Sequence, residues 1–129
     1  MAQPDRPLSP HLGIYRWQIS NGLSIIHRLT GVALSVGALV LTAWLVAAAS
    51  GPAAYAGLVG LLKSPVGILL MVGWSFAFFY HLCNGVRHLV WDAGYGFEIP
   101  QSNRSGKLAV ATACFLTVLF WVVALTSGS

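Results

Sequence analysis

The chain has 129 residues, 57% of them hydrophobic and only 8% charged, with a net charge of +4 and a mean hydropathy of +0.75. Soluble domains carry about 25% charged residues, so this composition excludes a separate soluble domain and leaves room for three membrane-spanning helices of about 20 residues each. The basic excess does not indicate nucleic acid, because its residues flank apolar segments, where they set topology.

Residues 1–19 are polar and proline-rich, with Pro4, Asp5, Arg6, Pro7 and Pro10, and they lack the apolar run of a cleavable signal peptide. They end in Tyr15 and Trp17, as expected of an extended arm that meets the interfacial aromatic belt. A helical pattern begins near Ser20, and the first span is predicted over 22–49, free of charge from Leu29 onward. Gly51-Pro52 breaks it, and "AAYAGLVGLLKS" reads as a weakly apolar connector suited to a short interfacial helix. Pro65 fits the first turn of a new helix, with the second span predicted over 66–90. "WDAGYGFEIPQSNRSGK" reads as a loop from its glycines, proline and charges, and Lys107 opens a third span over 107–126. The expected fold is all-α, a single membrane-anchor domain over 1–129 with three transmembrane helices.

Arg6, Arg16, Arg28, Arg87, Arg104 and Lys107 fall on one side of this topology and Lys63 alone on the other. The positive-inside rule then puts the N-terminus on the cytoplasmic or matrix side. Cys83 and Cys114 both lie in apolar segments and read as small buried hydrophobes rather than a disulfide or metal pair.

Ionisable groups at depth are costly, so each is a candidate functional residue. His81 lies six residues before Arg87, about 9 Å inward, in "FFYHLCNGVRHLVWDAG". Arg87 can snorkel and His88 can sit at the interface, but an imidazole at His81 is too short to reach it. Two readings compete there: a neutral histidine bonded to a neighbouring helix, or an axial ligand to haem iron. His81 and His88 are about 10 Å apart along one helix, and one straight helix does not supply both faces of a macrocycle. His27, close to the surface, is a poor second ligand, so another polypeptide is expected to provide it. Ser24, His27 and Arg28 share a helix face by their i, i+3, i+4 spacing. Arg28 and His27 there suit the propionates of a haem held by His81; alternatively Arg28 is a snorkelling anchor and Ser24 a helix-start or back-bonding serine. Asp92, near Arg87 and His88, reads as an interfacial salt-bridge acid. With no carboxylate pair, activated nucleophile or nucleotide-binding loop, the chain is not expected to be catalytic alone.

Three segments together, "RPLSPHLGIYRW" at 6–17, "SIIHRLTG" at 24–31 and "HLCNGVRHLVWDAG" at 81–94, resemble the large, cytochrome b membrane-anchor subunit of succinate dehydrogenase, respiratory complex II. The resemblance covers nearly the whole chain, and its arm is similar to the mitochondrial and alphaproteobacterial branch. It implies a complex in which a flavoprotein subunit oxidises succinate and an iron–sulfur subunit passes the electrons to ubiquinone, bound where that subunit meets two membrane anchors. By position it implies Ser24 and Arg28 at the quinone, His27 and Arg28 on the haem-propionate side, and His81 as an axial ligand of haem b. The second ligand and a quinone-bonding tyrosine would belong to the second, small membrane-anchor subunit. In that setting a hydroxyl at Ser24 orients a quinone carbonyl and a cation at Arg28 stabilises developing negative charge. The expected location is the bacterial inner membrane, or the mitochondrial inner membrane in a eukaryote. The alternatives are an anchor of a quinol:fumarate reductase, an autonomous two-haem cytochrome b, which would need more deep ligands, and a haem-free scaffold or a transporter, the last of which would show broken helices or a repeat.

Overall fold

The computed structural model describes Gly13 and residues 17–128, so the rest of the N-terminal arm, with Tyr15, lies outside the described residues. Among these the chain forms four helices and no strand: α1 (Ile19–Ser50), α2 (Pro52–Leu62), α3 (Pro65–Asp92) and α4 (Ile99–Ser127). Three of them, of 32, 28 and 29 residues, are long and apolar enough to cross a membrane. Even the shortest spans about 42 Å at 1.5 Å per residue, beyond the ~30 Å hydrocarbon core. The all-α, three-span expectation is therefore met.

The breaks follow from local chemistry. Gly51 ends α1 at φ 111°, a conformation that glycine adopts without steric cost, and Pro52 opens α2. Ser64 caps α3, its Oγ accepting from the Gly67 N–H at 3.1 Å. α4 begins at Ile99, with Pro100 in its first turn, eight residues before the expected start at Lys107. The polar "QSNRSGK" thus forms the first turns of a helix that continues past the apolar zone; its polarity marks depth, not irregular chain. The loop proper is residues 93–98, where Gly94 and Gly96 take positive φ.

Packing inverts the pattern of a soluble protein. The buried positions include Ser75, Asn84, Arg87, Ser102 and Thr117, whereas Leu39, Leu69, Phe115 and Leu125 are exposed. In a bilayer apolar side chains gain nothing by turning inward, while polar groups must find partners inside the protein. α3 and α4 make the largest contact, through a small-residue stripe on α4 of Ser102, Gly106, Ala109, Ala113 and Thr117. α1 meets α3 at two glycines. A Cβ at Gly31 would stand 3.2 Å from His81 Cε1, and one at Gly37 would collide with the Trp74 indole.

Candidate functional site

Three imidazoles meet where α1 crosses α3. The His27 ring stacks on His81 at 3.9 Å between centroids and 14° between planes, and on His88 at 5.1 Å and 16°. His27 was expected near the surface, well above His81. It lies eight residues into α1, about 12 Å, whereas His88 and His81 lie four and eleven residues from the end of α3, about 6 and 16 Å. The way α1 packs on α3 sets His27 at a level between the two α3 histidines, so that it touches both.

His81 is held from α1. Thr30, buried at 7% exposure, places its Oγ1 3.1 Å from His81 Nδ1 and donates to the His27 carbonyl at 2.9 Å. The other ring nitrogen, Nε2, has no hydrogen bond among the described residues and is not one of the buried unpaired atoms. Stacking by His27 covers a face of the ring and leaves the in-plane Nε2 uncovered. An imidazole fixed at Nδ1 and free at Nε2 fits the needs of a haem axial ligand. His88 Nδ1 donates to the Asn84 carbonyl of its own helix at 2.7 Å, so its hydrogen bond, unlike that of His81, is local to α3. His27 Nδ1 is buried without a partner among the described residues, a polar atom that a propionate oxygen would satisfy.

Ser24 and Arg28 stand apart from this cluster. Both are exposed, one turn from each other, on the stripe of α1 turned away from α3 and α4, whereas Leu23, His27 and Thr30 face inward. The spacing that suggested one shared face for Ser24, His27 and Arg28 resolves into two adjacent faces.

Arg87 does not snorkel. It is 7% exposed, its Nε donating to Ser105 Oγ at 2.9 Å, Nη1 to Asn84 Oδ1 at 3.1 Å, and Nη2 to the Ser102 carbonyl and Oγ at 2.9 and 2.8 Å. Its guanidinium lies 4.0 Å from the centroid of the Trp91 ring. These neutral partners tie α3 to the polar first turns of α4, and no salt bridge to Asp92 is among them; Asp92 is exposed at the end of α3. Tyr80, 1% exposed, donates to the Leu23 carbonyl at 2.7 Å and ties α3 to α1. Sequence reasoning missed Thr30, Tyr80 and Asn84; for Arg87 the signals were Trp91 one turn on and serines spaced at 102 and 105. Cys83 and Cys114 are free thiols, half-buried and exposed respectively.

Residues 2–120 match the family described as succinate dehydrogenase/fumarate reductase transmembrane subunit. The chain belongs to that family. It is 45% identical over 117 residues to the succinate dehydrogenase cytochrome b556 subunit of Rickettsia felis, covering 91% of each chain. It is 43% identical over 119 residues to the protein of the same name from Paracoccus denitrificans, covering 92% of each. Similarity extends to the mitochondrial succinate dehydrogenase cytochrome b560 subunit of Sus scrofa, 42% identical over 122 residues, which are 89% of this chain and 67% of that one. As a transmembrane subunit of this family, the chain is a membrane anchor, and its three apolar helices perform that role.

Proposed function

We propose that this chain anchors a succinate dehydrogenase to the inner membrane, shares a haem b with a second, small anchor subunit, and forms one wall of the ubiquinone-reduction site. The observation that carries the reading is His81: an imidazole deep in a span, locked at Nδ1 by Thr30 of another span, with Nε2 left for iron. When bound, haem b supplies a one-electron redox centre. The partner anchor supplies the second ligand, because the chain's other two histidines of this cluster are stacked beside His81 on its own side. His27, with its buried unpaired Nδ1, faces the propionates, and the Arg28 guanidinium reaches them from the adjacent, exposed face of α1.

Ser24 and Arg28 face away from the chain's own bundle, where a pocket is completed by other subunits. Ser24 orients a quinone carbonyl through its hydroxyl, and Arg28 stabilises negative charge as the ring is reduced. Electrons reach this wall from the flavoprotein through the iron–sulfur subunit, with the N-terminus of the anchor on the cytoplasmic or matrix side. The relatives' names favour succinate oxidation over the fumarate-reductase direction that the family also includes.

The test is a reduced-minus-oxidised spectrum of the complex purified with its partners. His81→Ala should abolish or shift the b-type absorbance, while His88→Ala should leave a six-coordinate haem. An unchanged spectrum in His81→Ala would remove the ligand assignment.

A further inference from the structure

The contacts around Thr30 can be counted proton by proton. Its hydroxyl has one proton and two lone pairs. The His27 carbonyl only accepts, so the 2.9 Å contact takes that proton. Towards His81 the same oxygen must then accept, and the 3.1 Å contact is satisfied only if His81 Nδ1 carries a hydrogen and donates it. At constant charge this selects one neutral tautomer of His81, with the hydrogen on Nδ1 and the lone pair on Nε2.

The oxygen that makes this selection is itself fixed. Threonine divides between two χ1 rotamers in a helix, and the back-bond of Thr30 to the His27 carbonyl holds one of them. Gly31, the next residue, lets the imidazole close on α1, since a Cβ there would stand 3.2 Å from Cε1. Among the described residues His81 is the one histidine of the three whose ring is bonded by a side chain of another span; His88 bonds a carbonyl of its own helix.

We infer that Thr30 is a positioning residue for the haem ligand: it sets the tautomer and ring plane of His81 and, through the Nδ1–H bond, the electron density at Nε2. The inference rests on His81 being an axial ligand. A hydrogen bond donated from Nδ1 makes the ring a stronger donor to iron and favours the ferric state. Removing it should raise the reduction potential of the haem and loosen its hold.

The experiment uses the assembled complex with its partners and reads the haem's redox midpoint, its low-spin electron paramagnetic resonance signal, and haem retention. Thr30→Val keeps the shape and removes the hydroxyl; Thr30→Ala removes it with less bulk and serves if the valine disturbs packing. Both should move the midpoint upward, shift the resonance signal and weaken haem retention by about 10-fold. Thr30→Ser should restore all three. Thr42→Val, which removes another back-bonded threonine hydroxyl on an exposed part of α1, should change none. A wild-type midpoint and signal in both Thr30→Val and Thr30→Ala, or no recovery in Thr30→Ser, overturns the inference. Running His81→Ala in parallel separates the two levels. If it loses the haem while the threonine variants behave as wild type, the role of Thr30 alone falls. If it keeps a native haem, the ligand assignment and the inference fall together.

Discussion

At the scale of single residues, a polar side chain in this chain is defined by the face of the helix that carries it. His27 and Arg28 are neighbours in sequence, yet one stacks on α3 and the other is exposed on the adjacent face. If Ser24 and Arg28 touch quinone, Ser24→Ala should lose one neutral hydrogen bond, worth about 0.5–1.5 kcal/mol, or up to roughly tenfold in quinone reduction. Arg28→Leu should cost more, since a charge-assisted contact is stronger, and Arg28→Lys should rescue poorly because an ammonium lacks the planar fork. Succinate oxidation with an artificial acceptor that takes electrons upstream of the quinone should stay normal throughout. Equal loss with both acceptors would point to failed assembly, and no loss with either would leave both residues as ordinary surface groups. Arg87 shows the reverse case: a cation that reads as a surface anchor is instead satisfied inside the protein by neutral oxygens.

At the scale of elements, the helices associate through small residues and cross-helix polar bonds rather than through apolar burial. This is expected where lipid is as apolar as the side chains. α1 is seated on α3 by Gly31 and Gly37, and the second contact leaves no room for a methyl group against Trp74. Gly37→Ala should therefore push the helices apart and cost about 1–3 kcal/mol, the usual effect of overpacking. Gly73→Ala is the comparison, since nothing lies within 4 Å of a Cβ there; it should be neutral or mildly stabilising by helix propensity. Thermal denaturation of the complex in detergent measures both. Equal melting temperatures for the two variants would show that the α1–α3 contact yields freely at Gly37.

At the scale of the whole molecule, the proposed function makes the chain one side of a site. It presents an imidazole bonded across the α1–α3 seam and a Ser24–Arg28 pair on the exposed side of α1, two features that under the proposed function gain chemistry against other subunits. Expressed alone, it should bind haem weakly or with five-coordinate iron. Co-expressed with its partners, it should give a stable bis-imidazole spectrum. Recovery of that spectrum from the isolated chain would contradict the shared-haem reading.

The membrane class, the three spans and the glycine–proline break at 51–52 were legible in the sequence by itself. Each depends on local composition and on residues whose backbone constraints act where they stand. Residue type and spacing singled out His27, Arg28 and His81 as candidates, because ionisable groups are rare at such depth, and the family resemblance added the quinone role proposed for Ser24 and Arg28. Tertiary structure alone decided which of them meet. His27 reaches both α3 histidines because α1 crosses α3 at its level, and Arg87 turns inward because α4 extends back to Ile99 and brings Ser102 and Ser105 alongside. Thr30 acquires its place from the crossing of α1 and α3, a contact between residues 51 positions apart. Helical periodicity ranks the faces of one helix, but which face is covered, and by what, depends on how the helices pack.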